Sequence, residues 1–119
     1  MTETLSASAQ KVQDTLHALG MTRKVVELPA TTRSAKEAAQ AIGCQVGQIV
    51  KSLVFRGQTS STPILALVSG INRVNEETLS TLVAEPIQKA DADFVREKTG
   101  FAIGGVPPVG HREPLLTFI

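Results

Sequence analysis

The chain predicts a mixed α/β domain whose sheet is not purely parallel. Two observations carry this. Segments with helical apolar spacing and β-type apolar runs follow one another in the order α, β, α, β, β, α, short β, α, β, loop, β. The two central β runs are joined by a short polar segment, as in a hairpin. The 119 residues suit a single domain, expected to run 1–119. With 42% apolar residues, the chain can build an ordinary packed core.

Each element has its own signal. Residues 5–19 carry Val12, Leu16 and Leu19 at helical spacing, and Gly20 follows as a C-cap would. Residues 25–28 are short and β-branched, with Pro29 behind them, and predict a strand. Ser34 and Glu37 have capping-box spacing ahead of an Ala-rich helix that Gly43 closes. Residues 44–48 predict a further turn of helix. Residues 50–55 and 64–69 are the hairpin strands. Asn75 is an N-cap type followed by Glu76 and Glu77, so a helix is expected to about Ala84. A short strand is expected at 87–90, a helix from Asp91 to Gly100, a strand at 101–103, a Gly/Pro loop at 104–110 and a last strand at 115–119.

Composition excludes several functions. Lys and Arg number 12 and Asp and Glu 11, a net charge of +1, which is not the surplus of a protein that tracks long nucleic acid. There are four Phe and no Tyr or Trp, which argues against aromatic base-stacking platforms. A nucleic-acid partner would be gripped over a small part only. One cysteine cannot form an internal disulfide or a multi-cysteine zinc site, and it points to a reducing, cytoplasmic setting. Residues 1–10 are polar and lack the apolar segment of a secretory signal. The uncharged stretch after Arg56 is too short and too polar to span a bilayer. No Walker loop, Gly-x-Gly-x-x-Gly or metal-ligand cluster is present, so no cofactor and no metal are expected.

Two features could carry chemistry. Lys51 lies in an apolar strand and shares a face with Leu53 and Phe55. A lysine there is costly unless it is paired or reaches water, and an ammonium facing a cleft suits a phosphate or a developing oxyanion. The alternative is a lysine that snorkels to solvent. The second feature is residues 100–111, with four glycines and two prolines in twelve positions. Such a loop can present backbone N–H groups to an anionic oxygen, or it can be a rigid turn without a ligand. His111 adjoins it as a potential acid, base or donor. Cys44 reads as a small filler. Ser69-Gly70 lacks the flanking pattern of a nucleophile elbow.

The segments Gln48-Ile49-Val50-Lys51-Ser52-Leu53-Val54-Phe55, Val68-Ser69-Gly70 and Arg96 through His111 resemble the YbaK/EbsC family, the insertion-type editing domains of bacterial prolyl-tRNA synthetases and their freestanding relatives. The resemblance runs from about Leu16 onward. It implies a largely antiparallel, curved sheet flanked by helices. It also implies trans-editing, the hydrolysis of the ester between a wrong small amino acid and the end of tRNA for proline, without a metal or a protein nucleophile. The expected partners are the aminoacyl-tRNA acceptor end and prolyl-tRNA synthetase, with no membrane. By the same resemblance Lys51 is the key functional residue. Gly104, Gly105, Val106, Pro107 and Pro108 would shape the pocket, with Ser69, Gly70 and His111 as further substrate-binding positions. Family members continue past the strand at 115–119, so the domain is expected to lack its C-terminal strands and helix. A non-catalytic module that holds a tRNA end or a synthetase is the alternative, and a fragment serving interaction alone is a third.

Overall fold

The computed structural model describes residues 5–29, 32 and 34–119. The start of the polar N-terminal stretch, residues 1–4, lies outside the described residues. Helix α1 spans Ala7–Ala18 and α2 spans Ala35–Ile42, with a 3-10 turn at Val46–Gln48. Strands β1 (Val50–Gly57) and β2 (Pro63–Ser69) form the hairpin. Helix α3 (Glu76–Val83), strand β3 (Ile87–Lys89), helix α4 (Ala92–Thr99) and strand β4 (Leu116–Phe118) follow.

The helix boundaries follow from local hydrogen bonding. Ser34 Oγ accepts from Glu37 N–H, Asn75 Oδ1 from Thr78 N–H, and Asp91 Oδ1 from Phe94 N–H, each satisfying a donor that a helix start leaves free. Gly43 and Gly100 end α2 and α4 in the left-handed conformation.

The sheet order is β3-β1-β2-β4. β1 pairs antiparallel with β2 along its full length, Val50 opposite Ser69 and Arg56 opposite Pro63. β3 also runs antiparallel to β1 but covers only Phe55–Gly57, and β4 runs parallel to β2. The sheet is therefore mixed and largely antiparallel, as expected. Alternation along β1 puts Phe55 and Val54 on opposite faces. Phe55 packs with Ile64, Ala66, Ile87 and Leu79 of α3. Val54 packs against Ala90, Phe94 and Val95 around α4, and Val106 joins them.

Two expected strands do not form. Residues 25–28 pair with no strand; Val25 N–H donates to Gln13 Oε1 at 2.7 Å, and Gln13 Nε2 donates to Arg23 O at 2.9 Å. A buried glutamine on α1 thus takes the place of a neighbouring strand. Residues 101–103 form no strand but lead into a turn at 103–104, because Thr99 Oγ1 accepts from Phe101 N–H at 3.0 Å and Gly105 N–H donates to Ala102 O at 2.9 Å. The helical turn expected at 44–48 is a 3-10 turn.

The hairpin loop is clamped by Glu85. Its carboxylate accepts from Ser60 Oγ at 2.7 Å and from Ser60 and Thr59 N–H at 3.0 Å each. The Ser60 hydroxyl foremost, then the backbone donors, holds this carboxyl below the ordinary carboxylate range. A lowered carboxyl pKa contributes stability that is present at neutral pH and lost as the pH falls through the lowered value. Glu85→Gln is expected to lower the urea midpoint at neutral pH, with the gap to wild type closing on acidification. A gap unchanged between neutral pH and about pH 2 would refute the clamp.

Candidate functional site

β1 has one free edge. β3 stops at Phe55 and Ala90 N–H still reaches Val54 O at 3.2 Å, but no strand among the described residues pairs with the outer side of residues 50–53. Two cavities meet around this edge. Lys51, Arg73, Val74 and Glu76 line one of about 260 Å³. Ser52, Val54, Ala90, Val95, Ile103, Gly104 and Val106 line the other, of about 340 Å³ and mostly apolar. Both contain Leu53, Phe55 and Lys89.

Lys51 lies opposite Val68 in the hairpin, on the face that carries Phe55. Its ammonium donates to the Asn72 carbonyl at 2.6 Å, which ties it to the connection between β2 and α3. It is half-exposed: neither a buried charge nor a freely solvated one. The residue expected in an interior strand therefore sits where that strand becomes an edge.

The loop at 100–111 is braced on several sides. The Thr99 hydroxyl is fully buried and donates to Val95 O at 2.7 Å while accepting from Phe101. Arg112 N–H donates to Thr99 O at 2.9 Å, closing the loop's far end onto α4. His111 Nε2 lies 2.6 Å from Pro107 O, so the imidazole donates there and struts the loop from within. Lys11 of α1 sits 4.8 Å over the Phe101 ring. Gly104 has φ +82°, a conformation that strains any residue with a Cβ.

The expected site residues thus divide. Gly104 and Val106 line the apolar cavity. Their N–H groups meet no acceptor among the described residues, whereas that of Gly105 is bonded to Ala102 O. Gly105 instead lines a hollow on the α1 side. Pro107, Pro108 and His111 form the loop's frame and line neither cavity at the β1 edge. Ser69 and Gly70 lie away from that edge. Ser69 Oγ donates to Gly47 O at 2.7 Å, and Gly70 N–H donates to Ile49 O at 2.7 Å. A Cβ on Gly70 would sit 2.5 Å from Val46 O, so this glycine permits the 3-10 turn to pack on the end of β2. A further hollow of about 520 Å³, between β2, β4 and α3, contains Ser69 but neither Lys51 nor any loop residue. Sequence reasoning missed Lys89, which touches both cavities; directly opposite Phe55, it shares the face of Lys51.

No group of three His, Cys, Asp or Glu side chains is arranged to hold a metal among the described residues. No helix among them is long and apolar enough to cross a membrane.

This mixed-sheet chain falls in the class of aminoacyl-tRNA editing proteins by its likeness to known proteins. It belongs to the aminoacyl-tRNA editing domain family, whose model matches residues 29–119. It superposes with a TM-score of 0.88, at 56% identity, on the crystal structure of a proposed trans-editing enzyme for prolyl-tRNA synthetase, over 96% of this chain and 72% of that one. A hypothetical protein of solved structure matches with a TM-score of 0.80 and 30% identity over 90% of this chain and 71% of that one. The proline–tRNA ligase of Thermosipho melanesiensis is 34% identical over 89 residues, 74% of this chain. The chain spans only 15% of that ligase's length, and 14% of the corresponding ligase of Thermosipho africanus.

If Thr99 holds the loop as described, Thr99→Val should lower stability by about 1–3 kcal/mol, since it leaves a buried Phe101 N–H unpaired. Chemical denaturation measures this, and a neutral result would show that the loop does not depend on the hydroxyl.

Proposed function

We propose that the chain is an aminoacyl-tRNA deacylase acting in trans, which removes a small wrong amino acid such as alanine, serine or cysteine from tRNA for proline. The observation that carries this reading is the pair of cavities at the free edge of β1, in a chain of the editing-domain family. The apolar cavity suits a small side chain, and Gly104 and Val106 offer N–H groups beside it. The likeness to prolyl-tRNA ligases and to a proposed trans-editing enzyme supports proline tRNA as the carrier.

The reaction is an ester hydrolysis. Water adds to the carbonyl carbon, the carbonyl oxygen becomes an oxyanion, and the bond to the ribose oxygen then breaks. The proton from water passes to the departing ribose oxygen, giving a free amino acid and an uncharged tRNA end. Fixed donors aimed at the oxyanion are worth about 3–4 kcal/mol each in such reactions. Lys51 supplies a positive charge at the edge, and the loop supplies dipoles. The apolar cavity has no carboxylate or imidazole in its lining. Proton transfer therefore falls to water and to the neighbouring ribose hydroxyl of the substrate. Exclusion of proline rests on fit, which discriminates by about 1–3 kcal/mol per methylene.

That lack of a protein base favours a second reading, a module that holds the tRNA end without hydrolysing it. One assay separates them. Alanyl-, seryl-, cysteinyl- and prolyl-tRNA for proline are each incubated with wild type and with Lys51→Ala. Loss of one or two small amino acids, with prolyl-tRNA spared and at least a tenfold lower rate in the variant, supports the deacylase; tenfold corresponds to about 1.4 kcal/mol. Full activity in Lys51→Ala would refute the role of the lysine. Binding without hydrolysis of any substrate would support the module.

A further inference from the structure

Three cations converge on the cavity of about 260 Å³ that the loop does not line. Lys51 and Lys89 reach it from the sheet. Arg73 reaches it from the connection between β2 and α3. Its apolar lining is Leu53, Phe55 and Val74, and its one carboxylate is Glu76. The register explains the convergence: Lys51 and Phe55 are an even number of residues apart, and Lys89 lies directly opposite Phe55, so all three share one face. None of the three cations forms an ion pair among the described residues, where the one salt bridge joins Lys98 to Glu113. The Lys51 ammonium is also fixed in place by the Asn72 carbonyl.

Like charges around one small cavity repel each other, and a bound anion relieves that repulsion. Arg supplies a planar fork and Lys a point charge, and the two together suit the oxygens of a phosphate. Lys89 also lines the apolar cavity. A ligand with its acyl end beside the loop would therefore carry its nucleotide around the free edge of β1 and into the cationic cavity.

We propose that Arg73 and Lys89, with Lys51, form a subsite for a phosphodiester group of the RNA acceptor strand. The location of the acyl end rests on the deacylase reading; the anion site itself does not.

The test uses two esters and one binding measurement. Wild type, Arg73→Ala, Lys89→Ala and Lys89→Arg are assayed on alanyl-tRNA for proline and on 3′-O-alanyl-adenosine, which has no phosphate. Each alanine variant should lose about tenfold in kcat/KM on the tRNA, mainly through KM; Arg73→Ala, which lies outside the apolar cavity, should lose nothing on the nucleoside ester, and Lys89→Ala should lose less there than on the tRNA. Lys89→Arg should keep most of the tRNA activity. Binding of uncharged tRNA is then titrated against salt. Each alanine variant should flatten the slope of log K against log salt by about 0.7, the value for one single-strand phosphate contact. Equal loss on both esters would overturn the proposal, because the residues would then serve the acyl end or the fold. An unchanged salt slope would overturn it as well. If wild type hydrolyses neither ester, the deacylase reading fails, and the salt slope alone still decides the subsite.

Discussion

The register of the β1–β2 hairpin is the constraint on which the rest of the structure depends. Phe55 faces Ile64, and both are buried between the sheet and α3. A strand has a side-chain period of two, so a slip of one residue would move Phe55 to the α4 side and Lys51 with it. In the observed register Lys51 stands beside Val68, within reach of the Asn72 carbonyl, while Ser52 and Val54 face α4 and the loop. The burial of one phenylalanine thus decides on which side of the sheet the one lysine of that strand emerges. The Glu85 clamp on the hairpin loop acts on the same register from its closed end.

The loop is the second fixed part, braced from outside its own sequence as well as from within. Thr99 and Arg112 close its base, His111 ties its middle, and Lys11 covers Phe101. Electrostatic stabilisation of an oxyanion works only if the donors are in place before charge develops. On the proposed reading, the buried Thr99 hydroxyl and the His111 strut serve by holding Gly104 and Val106 still, without contact to the substrate.

Much of this was legible in the sequence, for identifiable reasons. The helix starts were visible because Ser34, Asn75 and Asp91 are residue types whose side chains bond the first free N–H groups, and all three do so. The hairpin was visible as two apolar runs around a polar turn. The strands expected at 25–28 and 101–103 were misread because β-branched and aromatic content does not itself supply a strand to pair with. In both places a single side chain, Gln13 or Thr99, took the backbone bonds that a neighbouring strand would have made. Lys51 and the loop stood out as anomalies, a charge among apolar residues and a cluster of Gly and Pro. Ser69 and Gly70 were visible too, yet their polar groups are bonded to the 3-10 turn and the residue after it. Lys89 was not legible. It reads as an ordinary surface charge, and only its pairing with Phe55 and the return of the chain after β2 bring it together with Arg73.

The free half of β1 remains to be explained. An unpaired strand edge is a liability, because its N–H and C=O groups invite pairing with another chain. Here β3 could not be extended along β1 without closing the passage between the two cavities, since it would lie across Leu53, which lines both. An ester held by its acyl group on one face of the sheet and by its phosphate on the other must cross that edge. A fully paired β1 would keep the lysine and the loop but separate them. On the proposed reading the gap in the sheet is what allows a cation on one side and a set of backbone dipoles on the other to act on a single substrate. It also reconciles a net charge of only +1 with a nucleic-acid partner, because the positive charge is concentrated where one phosphate is held rather than spread along a strand.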